Sequence, residues 1–372
     1  MAAITEYVEV FVVGAGPAGL AAAIAAREKG FRVTVADGAA PPADKTCGEG
    51  MMPESHAGLR ALGVSIQASE GFRFRGVCFA QDSASASADF PQGFGIGLRR
   101  PLLHQKLLAR AAQCGVELLW KTPVSGIDEE GVFAGGRKIG ARWIIGADGQ
   151  NSRVRRWSGL EPSRGASRRF ASRRHYRVEP WSEFVEIHWG PRAQAYVTPV
   201  ANDEVCVVLI GGRVEDVNFE GALAQLPVLR DRLRQAQLVG RERGAVTVSR
   251  SLNHVQRGKI ALVGDASGSV DAITGEGLRL AFRQAFALSD AMEAGDLARY
   301  EKEHRLLAGR PMMMGRWMLL LARHPALRNR VVESFSRKPE LFRRFLAFHV
   351  GVGHAAELLS TGAALGWRLL AA

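Results

Sequence analysis

"VEVFVVGAGPAGLAAAIAAREKGFRVTVAD", residues 8–37, reads as strand, tight turn, helix and second strand. Val8 to Val13 is a largely β-branched run of the kind that a parallel sheet buries on both faces. Gly14, Gly16 and Gly19 follow in G-x-G-x-x-G spacing. The first permits a sharp turn, the second lets backbone amides approach a pyrophosphate, and the third lets helix and strand pack closely. Pro17 and Ala18 open the helix, and proline suits this first turn because its missing N–H costs nothing there. The helix then aims its amide ends and positive dipole at the phosphates. A second strand, Arg32 to Ala36, ends on Asp37, at about the 20-residue spacing that the dinucleotide fingerprint requires. A carboxylate at that point accepts hydrogen bonds from a ribose 2′-OH and repels a 2′-phosphate.

The totals fit such a unit inside a larger chain. A length of 372 residues allows one large domain or two ordinary ones, and 47% hydrophobic with 23% charged residues is a globular composition. Lys and Arg exceed Asp and Glu by 49 to 37, a formal charge of +12. That balance favours anionic partners: nucleotides, acidic lipids or nucleic acid. The basic residues are dispersed, apart from Arg153–Arg156, Arg173–Arg174 and the C-terminal segments, and none sits in a nucleic-acid module, so nucleic acid is not an expected partner. Cys47, Cys78, Cys114 and Cys206 form no C-x-x-C pair, which argues against a metal site or a disulfide framework and suits a reducing cytoplasm. The first apolar run is broken by glycines, unlike a secretory signal. No segment reaches the roughly 18 uninterrupted apolar residues of a spanning helix. The tail "VGVGHAAELLSTGAALGWRLLAA" comes closest, but it holds His354, Glu357 and Arg368.

Two later stretches select the cofactor. "WIIGADGQNSRVRR" is a strand followed by Asp148–Gly149 and a basic helix start. "KIALVGDASGSVDAITGEGLRLAFRQA" is a strand, then Gly264–Asp265, then Gly275-Glu276-Gly277 opening a helix. A simple NAD dehydrogenase has no use for either. Together the three motifs resemble the FAD-dependent aromatic hydroxylase superfamily over roughly residues 8 to 300. The resemblance implies an α/β fold: a Rossmann-type FAD-binding domain, an inserted antiparallel-sheet substrate domain and a C-terminal helical region. It implies that the G-x-G-x-x-G binds the ADP half of FAD and that Gly264–Asp265 meets the ribityl and pyrophosphate region. The helix after Gly275, Gly277 and Leu278 would point at the flavin pyrimidine, where its dipole stabilises the negative charge of reduced flavin. Asp148 would lie near the pyrophosphate and assist NAD(P)H, the expected electron donor. In "GLRRPLLHQKLLARAAQCGVELLW", Arg100 or its neighbour Arg99 would reach the flavin cofactor, and Val124 falls where backbone meets adenine.

Within that superfamily, "KTCGEGMMP" (residues 45–53) resembles the geranylgeranyl-reductase-like branch, which carries Cys-Gly before the ring; Thr274-Gly275-Glu276-Gly277 points the same way. Glycines such as Gly48 let main chain lie close to a flat cofactor. Lys45 is a candidate phosphate partner, and Glu49 a candidate for orienting ring or substrate. Cys47 reads either as a proton donor or flavin-tuning thiol or as a small buried residue that only packs.

Alternating runs such as "FRFRGVCFAQ", "RRHYRVEP", "FVEIHWG", "QAYVTPV" and "EVCVVLIGG" predict the inserted sheet. The expected division is residues 1–64, 98–163 and 255–300 for the FAD domain, 65–97 and 164–254 for the substrate domain, and 301–372 for the helical region. Candidate pocket residues are His175, Tyr176, His188, Trp189, Tyr196 and Thr198, each of which also reads as a core or sheet-face residue. Tyr196 stands out because the family places an aromatic above the ring there, and with Cys47 it forms the candidate catalytic pair. The family's prenyl reductases carry Tyr-x-Trp-x-Phe-Pro where this chain has Gln194-Ala195-Tyr196-Val197-Thr198-Pro199, and the Trp-x-Trp-x-Ile-Pro signature of flavin halogenases is absent. The C-terminal helices carry apolar faces beside arginines and suit packing on their own domain or peripheral contact with an anionic membrane. Met312–Met314 is a candidate tunnel lining. The expected function is therefore an FAD-dependent oxidoreductase consuming NAD(P)H, in the first instance a monooxygenase of a small hydrophobic aromatic or polyketide-like substrate. A C=C reductase of the geranylgeranyl reductase type is the alternative, and a non-catalytic flavin-binding partner protein the third reading.

Overall fold

The computed structural model describes residues 4–81, 85–161 and 167–353. The expected boundary between residues 163 and 164, and the apolar tail from His354 onward, lie outside the described residues.

Ile4–Val13 forms the centre of an eight-stranded sheet. It pairs in parallel with Val33–Ala36 on one side and with Arg137–Gly146 on the other. Glu117–Leu119 and Ile260–Leu262 extend the parallel order outward. This order matters for function. Three neighbouring parallel strands end at Val13, Gly146 and Leu262, so the three glycine-and-acid turns leave the sheet side by side at its carboxyl edge, where open α/β sheets bind ligands. The helix Pro17–Glu28 buries every residue from Gly19 to Ala26, five of them alanine. These small side chains let it lie against both the sheet and the helix Gly277–Glu293.

A second sheet has seven strands in the order Gln237–Ser249, Ser167–Arg177, Glu204–Gly211, Ala193–Ala201, Phe184–Trp189, Gly76–Ala80 and Ser85–Asp89. It departs from the purely antiparallel expectation at one junction: Phe184–Trp189 and Gly76–Ala80 run parallel. These strands come from two separate segments of the chain, so no hairpin forces them to oppose. The run "FRFRGVCFAQ" also divides. Phe72–Phe74 joins a small three-stranded sheet, and only Gly76–Ala80 enters the large one. Gly76 marks the change, because a Cβ there would lie 1.9 Å from the Ala88 carbonyl oxygen.

Three helices, Leu297–Arg323, Pro325–Arg337 and Pro339–Val350, close the described chain. Their apolar faces pack on the edge of the second sheet. Phe335 and Phe342 stack at 4.8 Å, and Phe342 sits 4.7 Å from Phe79 of that sheet. Met314 and Met318 turn inward, whereas Trp317 and Leu320 stay exposed on the same helix beside Arg316 and Arg323. No helix among the described residues is long and apolar enough to cross a membrane.

Candidate active site

The three turns converge on one cavity of about 710 Å³, within the size range of cofactor and ligand sites. Gly14, Gly16, Pro17 and Ala18 line it from the first turn, Asp148 from the second, and Gly264, Asp265, Gly275, Gly277 and Leu278 from the third. Asp37 and Val124 line one end, and Lys45, Cys47, Gly48 and Arg100 complete its wall. Gly19 is the exception among the expected cofactor-binding residues. It sits behind the turn, where a Cβ would lie 1.9 Å from the Gly14 carbonyl oxygen, so it serves helix–strand packing and does not reach the cavity.

The local geometry explains the residue types. Gly14 has φ +104°, and a Cβ there would meet the Ala147 carbonyl oxygen at 2.6 Å, so only glycine lets the first and second turns touch. Asp37 accepts the Ala15 and Ala39 amides, both at 2.8 Å, and thereby ties the second strand to the glycine turn. Asp148 also caps a helix while lining the cavity: its carboxylate accepts the Arg153 amide at 2.6 Å and the Val154 amide at 3.1 Å at the start of Arg153–Trp157. Lys45 and Asp265 form an ion pair at 2.6 Å across the cavity wall, which joins two motifs 220 residues apart.

These residues fit a flavin dinucleotide. The helices Pro17–Glu28 and Gly277–Glu293 both begin at the cavity, and neither has a side-chain cap on its first amides. Around Gly16 and Gly277 no atom beyond the adjoining residues and the helix's own backbone lies within 4 Å of where a Cβ would sit. Two free amide clusters with open space before them are what phosphate and an anionic ring require. Asp37→Ala would remove both the turn brace and the ribose acceptor. A hydrogen bond to a charged group contributes about 1.5–3 kcal/mol, so FAD affinity should fall roughly 10- to 150-fold in a fluorescence titration.

A family model described as an FAD binding domain matches residues 7–210, more than half of the chain. The chain belongs to this FAD-binding family. It is an FAD-dependent oxidoreductase, and the resemblance to the aromatic hydroxylase superfamily and its geranylgeranyl-reductase-like branch holds. This flavoprotein is 27% identical over 354 residues to a menaquinone reductase of Mycobacterium tuberculosis, with 87% of this chain and 86% of that one covered. It is 26% identical over 350 residues to a digeranylgeranylglycerophospholipid reductase of Methanosarcina mazei, covering 82% of each. Among solved structures, a flavoprotein/dehydrogenase from Cytophaga hutchinsonii superposes with a TM-score of 0.81 at 19% identity, over 93% of both chains.

Beyond the flavoprotein's glycine turns the cavity becomes apolar. Phe74, Phe79 and Ile187 line it together with Met314, Met318 and Phe342, so strands and C-terminal helices share the lining. Met314 is the one member of the expected Met312–Met314 tunnel that lines the cavity, and Met318, one turn further on, was not anticipated. Of the six candidate pocket residues, only Tyr196 and Thr198 line it. Tyr176 packs on Phe219 from the opposite face of its strand, and His188 bonds Glu186 at 2.8 Å. Trp189 stacks edge-on to Phe79 in the core, and His175 is drawn to Glu49 at 2.7 Å. The Tyr196 hydroxyl donates to the Ile273 carbonyl at 3.2 Å, so Tyr196 pins the 271–275 turn with its proton already engaged.

Cys47 lines the cavity beside Gly48 and Thr198. Burial pushes its thiol above the ordinary range. Glu49 also lines the cavity, and its carboxylate is fully buried against Arg173 and His175. Glu49, His175 and Cys206 could between them offer three atoms to a metal ion. The cation beside Glu49 is instead the Arg173 guanidinium, at 3.1 Å. This cluster escaped the sequence reading. Its one signal is a glutamate set between two glycines.

A second buried group lies under the helix Gly277–Glu293. Glu276, 1% exposed, pairs with Arg279 on its own helix, and its carboxylate lies 3.8 Å from His349 of the last helix. Nearby, both Glu54 oxygens are buried without partners, and burial holds that carboxyl up at about 7. A carboxyl whose folded pKa lies above its unfolded one contributes stability that is fully present below the unfolded value and lost as pH rises through the folded one. Glu54→Gln should therefore melt increasingly above wild type as pH rises from 5 to 8, a gap that thermal scans at fixed ionic strength would read.

Proposed function

We propose that this flavoprotein reduces a C=C bond in a long apolar substrate, of the prenyl-chain or prenylated-quinone kind. The observation that carries the reading is the position of Cys47, a thiol on the cavity wall between the glycine turns and the apolar lobe. The names of the relatives, menaquinone reductase and digeranylgeranylglycerophospholipid reductase, agree with it. FAD, when bound, supplies hydride chemistry, with its electrons drawn from NAD(P)H. The chain supplies the rest. The apolar lobe lined by Phe79 and Met318 binds the chain by burial and excludes water. The amide end of the helix Gly277–Glu293 favours negative charge on the reduced cofactor. As the alkene gains a hydride on one carbon, the Cys47 S–H bond breaks and its proton goes to the other. The thiolate left behind takes up a proton from water before the next turnover. A thiol held protonated by burial is suited to donate.

The decisive experiment is anaerobic turnover with a polyprenyl lipid or menaquinone and NADH or NADPH. A product heavier by two hydrogens supports reduction. Turnover only in air, with oxygen uptake and a product heavier by one oxygen atom, would replace the reading with oxygenation of a smaller aromatic substrate. That second reading rests on residues 194–199, which lack the aromatic-rich signature of prenyl reductases.

A further inference from the structure

Glu49 has φ +57°, one of two non-glycine residues among those described with positive φ. Such backbone costs a β-carbon residue on the order of 1 kcal/mol or more, and glycine would avoid it. Gly48 and Gly50 flank the position, yet neither adopts positive φ. The chain thus places its glutamate at the one strained position of the three, and the carboxylate accounts for that choice. Its Oε1 accepts the Arg100 amide at 2.9 Å and the Arg173 guanidinium at 3.1 Å. Its Oε2 meets His175 Nε2 at 2.7 Å and lies 3.6 Å from Arg99 Nε. Arg173 in turn grips both Asp44 oxygens, at 2.8 and 3.0 Å. These contacts run from the second sheet, through Arg173 and His175 of Ser167–Arg177, to the loop whose outer side carries Cys47.

We propose that Glu49 is a positioning residue for Cys47: anchored by Arg173, His175 and the Arg100 amide, its carboxylate holds the loop against the cavity and sets a negative charge against the guanidinium groups around the neighbouring sulfur. After burial, the Arg100 charge acts most strongly on that sulfur and favours the thiolate, with Arg173 adding in the same sense; the Glu49 carboxylate opposes both. The Glu49 backbone N–H also favours the thiolate, so the carboxylate is the part of this residue that retains the proton. Cys206 and His175 close the cluster from behind. Without the carboxylate, Cys47 would face a cluster dominated by guanidinium groups, a setting that turns cysteines into reactive thiolates.

The inference rests on Cys47 facing the reacting cavity, as read above, but its test needs no turnover, so the two can fail separately. Iodoacetamide alkylation of Cys47 in the flavin-loaded protein would be followed against pH by peptide mass spectrometry. Glu49→Gln should alkylate about tenfold faster at pH 7.5, the effect of a one-unit shift in thiol acidity, and Glu49→Asp should restore part of the protection. Arg100→Met should be slower than wild type. Opposite signs in these variants separate an electrostatic role from a loosened loop, which would speed both. Equal rates in Glu49→Gln and wild type, or both variants moving the same way, would overturn the proposal. If Glu49→Gln does not fold, Glu49→Asp and Arg100→Met decide: faster alkylation than wild type in the first with slower in the second supports it, and equal rates or both moving the same way overturn it.

Discussion

Cys47→Ala is expected to lower anaerobic product formation by about 10²- to 10⁴-fold, the usual contribution of a positioned general acid. Flavin content and the rate of flavin reduction by nicotinamide should stay close to wild type. The separation follows from where the residue sits. Cys47 belongs to the cavity wall, and the glycine turns, Asp37 and the two open helix ends are built without its side chain. Truncation removes one sulfur from a half-buried site, so the fold should tolerate it. Stopped-flow absorbance would read the reductive half-reaction, and mass spectrometry of the extracted lipid the other half. The pH profile has a definite sign. Donation needs the thiol, so turnover should hold through neutral pH and fall on the alkaline side as the proton is lost, with that limb absent in Cys47→Ala. A variant that keeps full turnover would assign the proton to another group and leave Cys47 as packing.

The sequence made the cofactor half of this site legible because glycine is chosen there for backbone reasons that do not depend on neighbours. A turn at φ +104° or a helix pressed against a strand requires that residue wherever it occurs. Strand order then did what spacing alone could not, bringing turns near residues 14, 148 and 265 to one edge. The substrate half was less legible. Alternation marks a strand but leaves open which face looks inward, so His175 and Tyr176 were equal candidates, and both point elsewhere. The strand Gln237–Ser249 carries Arg241, Glu242 and Arg243 and lies at the sheet edge, where charge hides the strand pattern. The Glu49 network was hidden for a different reason. Its partners, Arg173 and His175, lie more than 120 residues away, and no local pattern announces a pairing across two sheets.

Gly19→Ala and Gly277→Ala should fail in opposite ways, and the contrast tests whether the cavity is a cofactor site. At Gly19 the added methyl would lie 1.9 Å from the Gly14 carbonyl oxygen and 3.1 Å from the Ala147 side chain. Both neighbours belong to the two turns packed together at the carboxyl edge of the sheet, so the helix Pro17–Glu28 would have to lift off the strand it covers. A clash with backbone in a close-packed interior belongs among the severe substitutions, about 4 kcal/mol or more, and much of the protein should be insoluble or should melt far below wild type. At Gly277 no atom beyond the adjoining residues and the helix's own backbone comes within 4 Å of the methyl, and alanine is a better helix former than glycine. The flavin-free protein should therefore melt at or slightly above the wild-type temperature. Its methyl would instead occupy the approach to the helix amides, so FAD affinity should drop at least about tenfold, and the melting temperature should rise less on adding FAD. Thermal scans of both variants with and without FAD would read all four outcomes. A Gly277→Ala protein that binds FAD as tightly as wild type would mean that the cofactor does not approach this helix end.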